Sequence, residues 1–151
     1  MNVAARQFAG EIRLARPQDY PRMAELAGQL GYPSTSDDIA RRLTGFISTG
    51  EQVVFVAQLA DGTIAGWIGA FVYRCVEADA RVEISGLVVD ERFRSQSVGQ
   101  LLLDRAEAWA REKGFTATSL RSNVIRERAH AFYERQGYEH TKTQKSFRKK
   151  L

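Results

Sequence analysis

The chain has 151 residues, of which 44% are hydrophobic; this is enough for one compact domain but short for two, and we predict a single domain over residues 1–151. Twenty-two Lys and Arg residues against eighteen Asp and Glu give a net charge of +4, weaker than the concentrated basic surface of most nucleic-acid-binding proteins. The single cysteine, Cys75, cannot form an internal disulfide, and the two histidines are too far apart to indicate a metal site. No apolar run is long enough to span a bilayer, and we expect a cytoplasmic protein.

The first third of the chain predicts one strand followed by two helices. Residues 11–15 alternate as a short strand. Residues 16–31 have apolar side chains at helical spacing, with Pro17 suited to the first turn and Gly31 placed as a stop. A second helix is predicted over residues 36–48, with Ser36 as its N-cap and two acidic residues in its first turn.

The middle of the chain predicts three strands. Two β-rich runs within residues 51–74 flank Asp61-Gly62, a strong hairpin signal. Residues 81–90 form a further apolar run with Gly86 in its middle, where a glycine often marks a β-bulge or a close approach of the backbone. A strand with a bulge is therefore expected immediately before the polar turn that follows.

The last third predicts two helices separated by a strand. An apolar stripe begins at Val98 and its helix ends at Gly114; residues 115–122 read as a strand, residues 126–138 as a helix closing at Gly137, and residues 138–147 as one or two final strands. The predicted order is β-α-α-β-β-β-α-β-α-β. This order places the chain in the α/β class, as an α+β mixed sheet with helices on both faces.

The turn "RSQSVG" at residues 94–99 joins the bulged strand to a helix. Such a junction directs unpaired backbone N–H groups and the positive end of the helix dipole at one point, where an anion such as a diphosphate fits. Arg92 and Arg94 add charge, and the hydroxyls of Ser95 and Ser97 add donors. From the turn alone, the structural alternative is that a serine only caps the helix and Arg92 is solvated.

Two motifs in the same order resemble those of the GCN5-related N-acetyltransferase (GNAT) superfamily. "LVVDERFRSQSVGQLLL" is similar to its acetyl-CoA-binding signature, with Arg94 and Gly99 at the ends and serines at two positions that often hold glycine. "AHAFYERQGY" is similar to its C-terminal pattern, matched at Ala129, Phe132, Tyr133, Glu134, Gly137 and Tyr138. The resemblance covers nearly the whole chain and implies the GNAT fold, in which the bulged strand splays from its neighbour.

The resemblance also implies acetyl-CoA as co-substrate and a set of binding residues. The backbone of the splayed strand would bind the pantetheine arm and the turn the diphosphate, while Asn123 or Arg126 stands where the family often has an asparagine near the cofactor. The expected cofactor-binding residues are Leu87, Val88, Val89, Arg94, Ser95, Gln96, Ser97, Val98, Gly99, Gln100, Asn123, Arg126 and Tyr133.

Two catalytic residues are implied. Glu83 lies eleven residues before Arg94, the spacing of the general base in the histone acetyltransferase branch; the alternatives are a water chain as base and a solvent-facing Glu83 paired with Arg81. Tyr133 stands at the position of the family's usual proton donor to the thiolate. The alternative is that Tyr133 is an aromatic residue that only packs in the core of its helix.

The resulting function hypothesis is an N-acetyltransferase in which a primary amine attacks acetyl-CoA directly within a ternary complex. The alternative is a non-catalytic acyl-CoA-binding regulatory module that has kept only the cofactor turn. The acceptor stays open among a small-molecule amine, an antibiotic, and the N-terminus or a lysine of a protein. Neither a nucleic acid nor a membrane is expected as partner, and a homodimer is compatible with the sequence.

Overall fold

The computed structural model describes residues 7–46 and 48–151. Their contacts divide the chain into two compact units, the first ending at Leu120 and the second spanning Arg121–Leu151. The single domain expected from the sequence stays a prediction. In the described ranges, no helix is long and apolar enough to cross a membrane.

The first unit contains a five-stranded mixed sheet. The strands lie in the order β1-β2-β3-β4-β5; the first four are antiparallel and β5 is parallel to β4. Two short 3-10 turns precede α1 and follow β4. The elements are β1 (Gly10–Leu14), α1 (Tyr20–Leu30), α2 (Ser36–Thr44), β2 (Gln52–Leu59), β3 (Ile64–Tyr73), β4 (Arg81–Val89), α3 (Val98–Glu112) and β5 (Thr118–Leu120).

Helices cover both faces of this sheet, as the sequence predicts. Val56 of β2 is fully buried in a cluster with Met23 and Leu26 of α1. The preceding residue, Phe55, has the guanidinium of Arg105 from α3 4.5 Å from its ring centroid. Because successive side chains of a strand point to opposite faces, α1 and α3 lie on opposite sides of the sheet.

The sequence predicted the end of α1 correctly but not the cap and the end of α2. Gly31 ends α1 in a left-handed conformation with φ of 98°, as predicted. The cap of α2 is Thr35 and not Ser36: the Thr35 hydroxyl accepts from the amide of Asp38, whose carboxylate accepts from the amide of Thr35. This helix ends at Thr44 instead of residue 48, and residue 47 of the predicted span lies outside the described residues.

The second unit contains one helix, α4 (Glu127–Arg135), and Gly137 closes it with φ of 91°. The final strand predicted within residues 138–147 is wrong, since residues 138–151 carry neither helix nor strand. Residues 139–151 are all exposed; they include five Lys or Arg residues and only two large apolar ones, Phe147 and Leu151. So polar a segment has little apolar surface to bury in return for ordering a strand.

Candidate active site

A β-bulge interrupts β4 where the sequence predicts one. Gly86 pairs with Gly69 of β3, whereas the next paired residues are Ile84 and Ala70, so Ser85 is the extra residue. β5 pairs with β4 only from Val82 to Ile84, so β4 continues from the bulge beyond the end of β5. The expected bulge and the parting of the two strands are both confirmed.

The open edge of β4 presents the backbone groups of two residues. The Asp90 amide donates to the carbonyl of Ala65 at 2.8 Å, and alternate residues of an antiparallel strand direct their backbone groups at the same neighbour. Val88, two residues before Asp90, therefore bonds to β3, while the N–H and C=O groups of Leu87 and Val89 face the side where β5 has ended. Of the three residues expected at this edge, Leu87 and Val89 have the required orientation.

The bulge also decides which residues share a face with Glu83. Glu83 pairs with Phe71 and Gly86 pairs with Gly69, so both lie on the face that α1 covers. A side chain at position 86 would lie 3.1 Å from the ring of Trp67, whose indole N–H donates to the Met23 carbonyl at 3.2 Å. Because position 86 is glycine, no side chain stands between the backbone of this part of β4 and the Trp67 indole.

Glu83 is only 7% exposed. Its Oε1 atom lies 3.4 Å from the Oγ atom of Ser119, the residue directly opposite on β5. The Nε atom of Arg81 donates to the same Ser119 hydroxyl at 2.8 Å. The alternative of a solvent-facing Glu83 is therefore wrong, and Arg81 reaches Glu83 through the Ser119 hydroxyl.

Asp90 anchors the start of the candidate cofactor turn. Its buried carboxylate accepts hydrogen bonds from the amide of Arg92 at 2.9 Å, from the Arg92 guanidinium at 3.0 Å and from the guanidinium of Arg22 in α1. Hydrogen bonds from Arg92, and then from Arg22, outweigh burial and lower the pKa of Asp90 to about 2. Arg92 thus pairs with Asp90, while its side chain stays 68% exposed to solvent.

The turn itself contains two residues in the left-handed backbone region. Ser95 and Ser97 both have φ of 65°, and the side chain of Ser97, although at the N-cap position of α3, makes no capping hydrogen bond. The first bond of the helix runs from the Leu101 amide to the Ser97 carbonyl at 3.0 Å, which leaves the amides of Val98, Gly99 and Gln100 without an intrahelical acceptor. The capping role considered for Ser97 is excluded.

The other turn residues expected to bind the cofactor lie beside these amides. Arg94, Ser95, Ser97 and Gln100 are exposed, Gln96 and Gly99 are partly exposed, and Val98 is buried. The structure therefore brings the turn residues and the Leu87–Val89 edge together along one strand, turn and helix. An anion placed at this helix end would meet several amides and the charge of Arg94.

In the second unit, Asn123 and Arg126 lie just before α4, and Tyr133 lies near the end of this helix. The amide of Arg126 donates to the Asn123 carbonyl at 3.0 Å, and the ring Nε2 of His130 lies 2.9 Å from the same carbonyl. Tyr133 is partly buried, and burial raises the pKa of its phenol while the charge of Arg126 lowers it. The net increase keeps the Tyr133 hydroxyl protonated at neutral pH, as a proton donor requires.

Residues 19–138 match the profile of the Acetyltransferase (GNAT) family. The chain belongs to this family. It is 30% identical over 147 residues to the aminoglycoside N(6′)-acetyltransferase type 1 of Stenotrophomonas maltophilia, with 95% of each chain covered. It is 33% identical to the aminoalkylphosphonate N-acetyltransferase of Salmonella typhimurium, with 85% of this chain and 84% of that protein covered.

The GNAT fold is also found by structural comparison. The crystal structure of the aminoglycoside 6′-N-acetyltransferase of Acinetobacter haemolyticus superposes with a TM-score of 0.80. The match covers 93% of this chain and 99% of that one at 19% identity, so it shows the fold.

Three residues of this candidate site were not predicted from the sequence. Ser119 and Trp67 come near Glu83 and Gly86 only through strand pairing, which single-sequence patterns do not encode. Asp90 carried a local signal, because an aspartate before a helical turn is a favourable N-cap, and its carboxylate does accept the Arg92 amide. Among the described residues, no group of three or more His, Cys, Asp or Glu is placed to hold a metal ion.

Proposed function

We propose that this GNAT protein transfers the acetyl group of acetyl-CoA to a primary amine of a small-molecule acceptor, and that the amine attacks directly in a ternary complex. The observation that carries the proposal is the open β4 edge at Leu87 and Val89, followed at once by the Asp90-anchored turn into α3. A pantetheine arm has amides to pair with a strand edge, and a diphosphate has the charge that a helix N-terminus favours. The proposed location is the cytoplasm.

The chain's own residues fit acetyl-CoA in two places. The backbone groups of Leu87 and Val89 would hold the pantetheine arm, and an amide at this edge would polarise the thioester carbonyl. The amides of Val98, Gly99 and Gln100, with Arg94 beside them, would hold the diphosphate. The family motif adds Asn123 or Arg126 as a proposed cofactor contact.

The proposed chemistry needs one base and one acid. An amine with a pKa of about 10 is mostly protonated at neutral pH, so Glu83, directly or through a water, would take its proton. As the new C–N bond forms and the C–S bond breaks, the electron pair goes to sulfur, and the Tyr133 hydroxyl would supply a proton to the leaving thiolate. Support for Glu83 comes from its burial on the α1 face beside the bulge.

The acceptor is proposed as a small molecule because both curated relatives described above are named for small amines, an aminoglycoside and an aminoalkylphosphonate. Asp38, one of the two acidic residues in the first turn of α2, is already engaged with the Thr35 amide and with Arg41. It therefore gives no separate reason to favour a polycationic acceptor, and the two amine classes are treated equally in the test.

The test combines binding and turnover. Acetyl-CoA is titrated calorimetrically into the protein and into the Arg94→Ala variant, and coenzyme A thiol release is measured with an aminoglycoside bearing a free 6′-amine and with 2-aminoethylphosphonate. We expect saturable binding that is weakened by R94A, and thiol release that depends on at least one of the amines. Binding without release for either amine would favour the non-catalytic module, and absence of binding would refute both.

A further inference from the structure

Three side chains form a hydrogen-bonded chain where β4 and β5 are still paired. Arg81 donates from Nε to the Oγ atom of Ser119 at 2.8 Å, and this Oγ atom lies 3.4 Å from Oε1 of Glu83. Ser119 stands directly opposite Glu83 in the parallel register of the two strands. The two side chains therefore share one face of the sheet, and Ser119 lies between a fixed cation and a buried carboxylate.

The chemistry of the groups fixes the direction of this chain. A guanidinium only donates hydrogen bonds, so the Ser119 oxygen accepts from Arg81. A hydroxyl has one proton, and with its oxygen engaged by Arg81 that proton is available to the carboxylate oxygen of Glu83. The chain runs in one direction, from Arg81 through Ser119 to Glu83, and restricts the rotation of the Glu83 carboxylate.

Arg81 is itself held in place. Its guanidinium carbon lies 4.3 Å from the ring centroid of Tyr73, the residue opposite Arg81 on β3. A cation over an aromatic face is attracted by the ring quadrupole, which limits the swing of the long side chain. Ser119 thus receives its hydrogen bond from an anchored donor, and the orientation of its hydroxyl follows from the two strands.

We propose that Ser119 is a positioning residue for the acetyl transfer: its hydroxyl, fixed by Arg81, orients the Glu83 carboxylate toward the incoming amine. The proposal rests on the proposed role of Glu83 as the base. A general base contributes to the rate only when its oxygen is held within hydrogen-bonding reach of the proton it accepts. Loss of the Ser119 hydroxyl removes this orienting hydrogen bond while the base itself stays present.

The test compares Ser119→Ala and Ser119→Thr, each in the wild-type and the Glu83→Gln backgrounds. Thiol release is followed with the 6′-amino aminoglycoside, with 2-aminoethylphosphonate, and with water alone as the slow acceptor. We expect S119A to lower kcat about five- to twenty-fold with the KM for acetyl-CoA unchanged within about two-fold, and S119T, which keeps the hydroxyl, to restore most of the rate. In the E83Q background, S119A should cause no further loss.

The same set of variants separates the two hypotheses. A wild-type rate for E83Q would refute the base role of Glu83, and with it the inference on Ser119. A low rate for E83Q together with a wild-type rate for S119A, or an equal loss from S119A in both backgrounds, would overturn the role of Ser119 alone. Thr63→Ala, which removes a hydroxyl from the distant β2–β3 hairpin, is the matched control, and thermal unfolding midpoints verify that every variant is folded.

Discussion

Ser95 and Ser97 adopt a backbone conformation that favours glycine, and the sequence has serine where the GNAT signature has glycine. A side chain in the left-handed region costs about 1 kcal/mol, because the Cβ atom crowds the neighbouring carbonyl. The turn therefore keeps the conformation that places the α3 amides at its centre in spite of its serines. Asp90, whose buried carboxylate binds the Arg92 amide and guanidinium, is one anchor that opposes this cost.

Ser97→Gly tests whether the hydroxyl or only the backbone matters. We expect glycine to raise the free energy of unfolding by about 0.5–1 kcal/mol, or roughly 2–3 °C in Tm, and to leave acetyl-CoA affinity unchanged or stronger. Ser97→Ala keeps the strained Cβ and removes only the hydroxyl, so it should bring no gain in stability. A tenfold loss of affinity in both variants, measured by calorimetry, would show instead that the Ser97 hydroxyl binds the cofactor.

Tyr133→Phe tests the proton donor. Because burial raises the pKa of the phenol, it stays protonated across the pH range of the assay, and we expect the variant to lower kcat by at least about tenfold at every pH from about 6 to 9. The affinity for acetyl-CoA should stay within about two-fold. Tyr138→Phe is the control, because it removes a comparable hydroxyl from a neighbouring residue; the ring centroids of Tyr138 and Tyr133 lie 5.9 Å apart. An unchanged kcat in Y133F would rule out the acid role.

Three elements of the first unit meet at Asp90. This residue directly follows β4, its amide bonds to the carbonyl of Ala65 in β3, and its carboxylate binds Arg22 of α1. Arg22 in turn donates to the carbonyl of Ile64 at 3.2 Å. Helix α1 and the start of the candidate cofactor turn are therefore held by one buried carboxylate.

Asp90→Asn should lower the free energy of unfolding by about 2 kcal/mol at pH 7. The pKa of Asp90 falls from its ordinary 3.8 to about 2, so its ionised form is favoured by folding; this contribution is complete above about pH 4 and is lost as the pH falls through about 2. Urea unfolding at pH 7, 5 and 3 should therefore show the gap between wild type and D90N shrinking in acid. A gap independent of pH, or an equal loss in the exposed Asp79→Asn control, would contradict this account.

The elements that were predicted correctly are those whose sequence signals lie within the element itself or in the residues next to it. The helical spacing before Gly31, the Asp61-Gly62 hairpin and the glycine of the bulge all depend on neighbours in the chain. β5 has three residues instead of the predicted eight, because a strand extends only as far as its partner allows, and β4 departs at the bulge. For the same reason the contact between Ser119 and Glu83 could not be predicted, whereas the turn could.

Charge is distributed unevenly over the molecule. Residues 121–151 contain nine Lys and Arg residues against three Glu, a net charge of +6, so the first 120 residues have a net charge of −2. Residues 139–151 alone have a net charge of +4; they are exposed and carry neither helix nor strand. A segment of this kind is solvated, and its charge contributes to long-range attraction of anions more than to the fold.

Removal of residues 139–151 should therefore leave the fold intact. We expect the free energy of unfolding to change by less than about 0.5 kcal/mol, because the removed residues bury no side chain, and kcat to stay within about two-fold. Differential scanning calorimetry measures the stability, thiol release measures kcat, and size-exclusion chromatography measures the apparent size. Lys149→Gln/Lys150→Gln is a control that changes charge without shortening the chain. A fall of several degrees in Tm accompanied by a smaller apparent size would contradict the expectation, since it would mean that the segment docks on a second copy of the chain in solution.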